Sequence, residues 1–267
     1  MTAANPSDEA APRLLGYFGH HKCGTQWVKA IVQSIARTLE LSWVVYNNPR
    51  QFGGDLSKAV AEKGVRFLLY VNAEQGYVVS LRHYRGFHMV RDPRDIVVSA
   101  YYSHLYSHPT GAWWPELVRY REELRELDHD AGLMRELEEL APQFRIMSRW
   151  DYANPNMLEV RMEEATRDPP GWFEKIFDFL GILGGGDNAR RTRVGLNRET
   201  LARILEKNSF STLAGGRGRG EEDVRSHYRK GVSGDWTNHF NAAHVEYFKA
   251  HYNNLLLDLG YEQRVDW

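Results

Sequence analysis

The first residue in this chain with a setting for chemistry is a lysine between two glycines. Lys22 lies in Gly19-His20-His21-Lys22-Cys23-Gly24-Thr25-Gln26-Trp27, directly after the apolar run Leu14 to Phe18. Trp27, Val28, Ile31, Val32, Ile35 and Leu39 then recur at helical spacing. A strand, a tight loop and a helix are predicted in that order. Backbone N–H groups at the helix start, with the helix dipole behind them, would hold a phosphate, and Lys22 would add a full charge. Gly19 and Gly24 have the Walker spacing, but Thr25-Gln26 follows and the lysine sits inside the loop, so the lysine–hydroxyl pair that holds Mg²⁺ is missing. On this stretch alone, a plain turn with a solvated lysine stays open.

Two further groups repeat the theme. Gly86-Phe87-His88-Met89-Val90 reads as a buried strand and runs straight into Arg91-Asp92-Pro93-Arg94-Asp95. Asp92 suits an N-cap and Pro93 the first helical position, with Ile96, Val97 and Ala100 on the buried face. Arg91 would then end a strand beside a helix N-terminus, and Ser99 would lie about two turns along, so both could face one anion. Equally, Arg91 could pair with Asp92 or Asp95 while Ser99 is an ordinary surface hydroxyl. Late in the chain stands Tyr228-Arg229-Lys230-Gly231-Val232-Ser233-Gly234-Asp235-Trp236. There, two adjacent cations precede a glycine that lets backbone approach an anion, and Trp236 and Phe240 suggest a packed loop rather than a solvated turn.

The elements that must position these groups alternate between strand and helix. Trp43–Tyr46, Val65–Val71 and Met157–Met162 read as further strands, the second ending at Asn72-Ala73-Glu74, where open α/β sheets bind ligands. Helices are predicted over Leu56–Lys63, over Pro170–Leu180 up to Gly181, after an Asn197 cap to Leu205, and over Ala242–Leu259 up to Gly260. Pro115–Trp150 is charged and helical, with Leu133, Leu137 and Leu140 in register and no catalytic pattern. Gly184–Asp187 reads as a flexible turn, and Gly215–Gly220 as a glycine- and arginine-rich loop without the periodicity of a packed element. The order argues for an α/β fold with a doubly wound sheet.

Composition sets the limits. The chain has 267 residues, enough for one large domain, and a net charge of −1 from 34 basic and 35 acidic residues. Such a balance argues against a general nucleic-acid or membrane-surface binder, so anion sites must come from local clustering. The single cysteine, Cys23, excludes an internal disulfide and a multi-cysteine zinc site. Residues 1–12 are polar and alanine-rich and read as a disordered tail. They lack a signal-peptide core, and no apolar run approaches a membrane span, so a cytoplasmic location is expected.

Taken together and in this order, the Lys22 loop, the Arg91–Ser99 block and Arg-Lys-Gly-x-x-Gly-Asp-Trp resemble the sulfotransferases that use PAPS, 3′-phosphoadenosine 5′-phosphosulfate. The resemblance runs from about Tyr17 to the C-terminus and is most specific in the last block. It implies a P-loop-like parallel sheet flanked by helices, one domain over 13–267, and a helical acceptor-side region at about 103–150. It also implies sulfuryl transfer from PAPS to a hydroxyl or amine, release of PAP and no metal. It carries Lys22, Cys23, Gly24, Thr25, Gln26 and Trp27 onto the 5′-phosphosulfate loop, and Arg91, Ser99 and Arg229 onto the 3′-phosphate, with Lys230 and Gly231 beside them. Ser209-Phe210 matches a nucleotide-contacting segment.

Lys22 would stabilise charge on the leaving oxygen. The histidine that serves as base in well-known members has no counterpart near Asn72-Ala73-Glu74, which leaves Glu74 and then His20 as candidate bases, with His83 and His104 weaker. Met162 stands where many relatives place an aromatic residue against adenine. The aromatic stretch Tyr101–Trp114 suits a phenolic, alcoholic, polyketide-like or carrier-bound acceptor. A regulatory protein that binds PAP without turnover and a P-loop kinase are the alternatives.

Overall fold

The computed structural model describes residues 14–111, 114–184 and 195–267. The tail over 1–12 and the turn beyond Gly184 lie outside them. Contacts divide the chain into two compact units.

The first unit comprises residues 14–20, Gly24–Val90 and the described part of Asp151–Lys207. It holds five parallel strands: β1 Leu14–Gly19, β2 Trp43–Tyr46, β3 Phe67–Tyr70, β4 Tyr84–Val90 and β5 Met157–Arg161, in the order β2-β3-β1-β4-β5. The chain thus moves to one side of β1 and then to the other, and the crevice beyond the carboxyl end of such a strand is where open sheets take ligands. All six residues of β1 are buried, as expected for a central parallel strand.

The helix α1, Thr25–Thr38, lays Val28, Ile31, Val32, Ile35 and Ala36 into the core, where they share one cluster with Tyr17, Phe87 and the Phe173, Ile176 and Phe177 face of the helix Pro169–Phe179. Each such side chain contributes about 1.5–3 kcal/mol by leaving water. The expected strands hold with shifted ends, β4 starting two residues earlier, at Tyr84. Val65 and Arg66 lie outside the paired run of β3, and Met162 opens the helix Met162–Arg167 instead of ending β5. Two short helices, α2 Leu56–Glu62 and α3 Gln75–Val78, complete the connections that feed β3 and β4.

The second unit comprises His21–Cys23, Arg91–Trp150 and Asn208–Trp267. Its helix α4, Pro93–Tyr102, starts as its sequence predicts: Asp92 Oδ1 accepts from the Arg94 backbone N–H at 2.9 Å, and Pro93 occupies the first turn. The helix then loosens into a π-type turn over Ser103–Ser107. Helices Leu117–Glu126, His129–Glu139 and Ala141–Ser148 follow, and Ala242–Asp258 is held at its start by a reciprocal cap between Asn241 and His244.

Arg94 organises this unit. Its guanidinium is buried, grips Asp92 through two N–H···O contacts of 3.0 and 2.8 Å, reaches Glu262 at 2.6 Å, and faces the rings of Trp236 at 4.1 Å and Trp267 at 4.6 Å. No helix among the described residues is long and apolar enough to cross a membrane.

Candidate functional site

Within the second unit the cations foreseen in the sequence come together. Lys22 has a left-handed backbone at φ 64°, a conformation that costs a non-glycine residue about 1–2 kcal/mol. Arg91 braces it by donating from Nη1 to the Lys22 carbonyl at 3.3 Å. Of the two partners open to Arg91, the structure selects Asp95, at 4.0 Å from Nη2, because Asp92 is engaged by Arg94. Burial, opposed only in part by Glu136, and repulsion from Arg91 and Arg229 lower the Lys22 ammonium to about 7. A lysine in this state is poised to gain a proton when an anion arrives.

The late block is a packed loop. Arg229 pairs with Asp235 and Glu222, and its guanidinium lies 4.7 Å from the Tyr102 ring. Lys230 donates to Asp235 at 2.6 Å. These cations hold the Asp235 carboxyl far below the usual carboxylate range despite its burial. Asp95 accepts from the backbone N–H groups of Gly234 at 2.7 Å and Trp236 at 3.0 Å, which ties the loop to α4.

Gly231 has φ 68°, and a Cβ there would stand 2.5 Å from the Phe210 ring. Ser209 N-caps the helix Phe210–Leu213. Ser99 is half-buried, two turns along α4. The glycine- and arginine-rich loop is better ordered than its composition implies: Arg217 donates to the carbonyls of Tyr228 and Arg229 at 2.7 and 2.9 Å.

The first unit carries the remaining candidates. Gly24 is the N-cap of α1 at φ 74°, with no side-chain cap and no acid in the first turn, so the positive end of the helix dipole meets no side-chain anion there. A Cβ at Gly24 would meet the sulfurs of Met162 at 3.3 Å and Met89 at 3.5 Å. Trp27 packs edge-on against Phe173 at 5.2 Å. Glu74 is half-buried at the start of α3 and makes no cap bond there, and the adjacent Ala73 N–H donates to the Gly19 carbonyl at 2.9 Å.

His20 is fully buried. Its Nε2 lies 2.9 Å from His88 Nε2, and His88 Nδ1 lies 2.6 Å from Glu159. Burial lowers both imidazoles, His88 to about 3. His83 is exposed in the left-handed turn before β4, at the amino edge of the sheet.

Sequence reasoning passed over His21. Its Nε2 lies 2.9 Å from Nε2 of the buried His104, whose Nδ1 is 2.9 and 3.1 Å from the two oxygens of the buried Glu136. Tyr120 also donates to Glu136 at 2.9 Å. Glu136 shares a helix face with Leu133 and Leu137, and a carboxylate on that apolar stripe was the available signal.

The family model described as the Sulfotransferase domain matches residues 80–260. Sulfotransferase 2A1 of Mus musculus is 26% identical over 248 residues, covering 85% of this chain and 78% of the relative. Sulfotransferase 2A1 of Homo sapiens is 28% identical over 197 residues, covering 66% and 57%. Among solved structures, mouse sulfotransferase SULT7A1 complexed with PAP superposes with a TM-score of 0.55 at 19% identity, covering 94% of this chain and 88% of the other. A retinol dehydratase in complex with androsterone and inactive cofactor PAP gives 0.56 at 18%, covering 94% and 83%. At these identities the superpositions establish the fold.

Proposed function

Because this chain belongs to the sulfotransferase family, we propose that Lys22, Arg91 and Arg229 hold PAPS while its sulfuryl group passes in line to a hydroxyl or amine of a small acceptor, releasing PAP. The observation that carries this reading is the convergence of three cations. Lys22 has its proton affinity depressed by burial and by Arg91 and Arg229, a strain that a polyanion relieves. Arg91, Ser99 and Arg229, with Lys230 and Gly231 beside them, serve the 3′-phosphate, and Ser209 and Phe210 contact the nucleotide. The uncapped start of α1, from Gly24 to Trp27, serves the 5′-phosphosulfate, and Cys23, whose thiol donates to the His21 carbonyl, supports the loop from inside. Lys22 stabilises the charge that grows on the bridging oxygen, a contact of the kind whose loss lowers turnover by about a hundredfold.

The acceptor class follows from the aromatic stretch Tyr101–Trp114 and from a relative solved with androsterone. It is a small alcohol or phenol, free or carrier-bound. No metal takes part in this reading. The test is transfer from ³⁵S-labelled PAPS onto androsterone, retinol and 2-naphthol. Labelled product with stoichiometric PAP, reduced about a hundredfold in Lys22→Ala, supports it. Tight PAP binding with no transfer to any of the three, and none to a broader panel, would convert the reading to a nucleotide-binding regulator.

A further inference from the structure

The consecutive histidines at the lysine loop each meet a second histidine that is held by a glutamate. The His20–His88–Glu159 chain belongs to the first unit, and its two imidazoles are fully enclosed. The His21–His104–Glu136 chain belongs to the second unit, and its leading ring, His21, is half-buried next to Lys22 in sequence. Several contacts fix it. The rings of His21 and His104 stack at 5.1 Å with 19° between planes. Arg121 donates to the carbonyls of His104 and His108, both at 2.6 Å, and so pins the π-type turn that carries His104 and ends at His108; such turns recur at functional sites.

Proton positions follow from the acceptors. Glu136 accepts from the Tyr120 hydroxyl and from His104 Nδ1–H. His104 Nε2 therefore carries a lone pair and accepts from His21 Nε2–H at 2.9 Å. That leaves the His21 lone pair on Nδ1.

We infer that His21 is the base that takes the acceptor's proton, with His104 and Glu136 as the residues that position it and receive the charge. The inference rests on the proposed sulfuryl transfer. In the step, the acceptor oxygen forms a bond to sulfur as its proton moves to His21 Nδ1. The proton on His21 Nε2 passes to His104 Nε2, and the resulting imidazolium is paired with Glu136. The bond from sulfur to the bridging oxygen breaks, and its electron pair stays on the phosphate of PAP, where Lys22 meets it.

Burial and the neighbouring His104, Lys22, His108 and His227 keep free His21 unprotonated at neutral pH, so the base is ready before the acceptor arrives. Arg121 also meets the chain, at the His104 carbonyl, and Tyr120 is a neutral donor to Glu136.

The test combines spectra and kinetics on the full chain. Histidine ¹⁵N spectra of the wild type should show His21 as the Nε2–H tautomer and His104 as the Nδ1–H tautomer. Any other pairing overturns the inference, whether or not an acceptor has been found. With PAPS and whichever of androsterone, retinol or 2-naphthol is turned over, His21→Asn should lower kcat by about a hundred- to ten-thousandfold while PAP affinity stays within a few fold. Glu136→Gln should lower kcat and move the alkaline limb of the pH profile to lower pH, because one negative charge leaves the surroundings of Lys22. Glu136→Asp should restore part of both.

Loss of turnover in Glu74→Gln with His21→Asn unaffected would overturn the inference and leave sulfuryl transfer standing. Failure of the wild type to bind PAP would overturn the transfer reading itself. Stoichiometric binding of Zn²⁺ or Co²⁺ that requires His21, His104 and His108 would also contradict it, since a metal held by both rings would take the place of the hydrogen bond between them.

Discussion

If the half-buried Lys22 has a proton affinity near 7 and gains an anion on binding, then PAP must bring a proton with it. The magnitude follows from the value of about 7. At pH 8 about a tenth of free protein carries a charged Lys22, so complete protonation in the complex takes up about 0.9 proton per PAP; at pH 6 the figure falls to about 0.1. The same linkage weakens PAP binding about fivefold between pH 7 and pH 8 and approaches tenfold per unit above that. At pH 8 the phosphates of free PAP are already fully ionised, with second pKa values near 6, so the nucleotide contributes little to the exchange. Calorimetric titrations in two buffers of different ionisation heat give the uptake directly. Lys22→Met should remove it and flatten the affinity between pH 7 and 8. Wild-type uptake below about 0.2 proton at pH 8, or uptake that persists in Lys22→Met, would refute the reasoning about this loop.

Other outcomes follow from the same geometry. The Lys22 value lies below its unfolded one, so between about 7 and 10 the unfolded chain binds more protons and stability rises with pH. Lys22→Met should therefore raise the melting temperature more at pH 6 than at pH 9, read by differential scanning fluorimetry. Gly231→Ala places a Cβ 2.5 Å from the Phe210 ring in a left-handed backbone; it should lower stability by about 1–2 kcal/mol and weaken PAP about tenfold in calorimetry. Arg94→Ala leaves the buried Asp92 without its bidentate partner and should destabilise the chain by about 3–5 kcal/mol in urea unfolding, with Arg94→Lys recovering only part.

The local parts of the site were legible because each depends on neighbours in sequence. The strand–loop–helix at Lys22, the Asp92–Pro93 start of α4 and the Asn197 cap all rest on rules that act over three or four residues, and each is in place. The cations and packed aromatics of the late block were readable from its own residues, but its anchorage was not, since nothing local reveals that Asp95 would accept from Gly234 and Trp236 across 139 and 141 positions.

The histidine chains were hidden for the same reason. His21 and His104 are 83 residues apart, and His88 and Glu159 are 71 apart. Each of these residues alone reads as packing or surface. Glu136 was masked by the leucines around it, which marked a buried helix face and drew attention from the one carboxylate lying on it. The loop over Gly215–Gly220 misled in the opposite way. Its composition signals freedom, but Arg217 uses it to brace the carbonyls of Tyr228 and Arg229.

The central claim is that this chain recognises a nucleotide by two separate phosphates and without a metal. Its most direct test is a pair of calorimetric titrations, one with PAP in the presence of a chelator and one with ATP and Mg²⁺, on wild type, Arg91→Ala and Arg229→Ala. The account predicts micromolar binding of PAP, lost in both arginine variants, and weak or absent binding of ATP with Mg²⁺. Tight Mg²⁺-dependent ATP binding, with PAP ignored by the folded wild type, would contradict it.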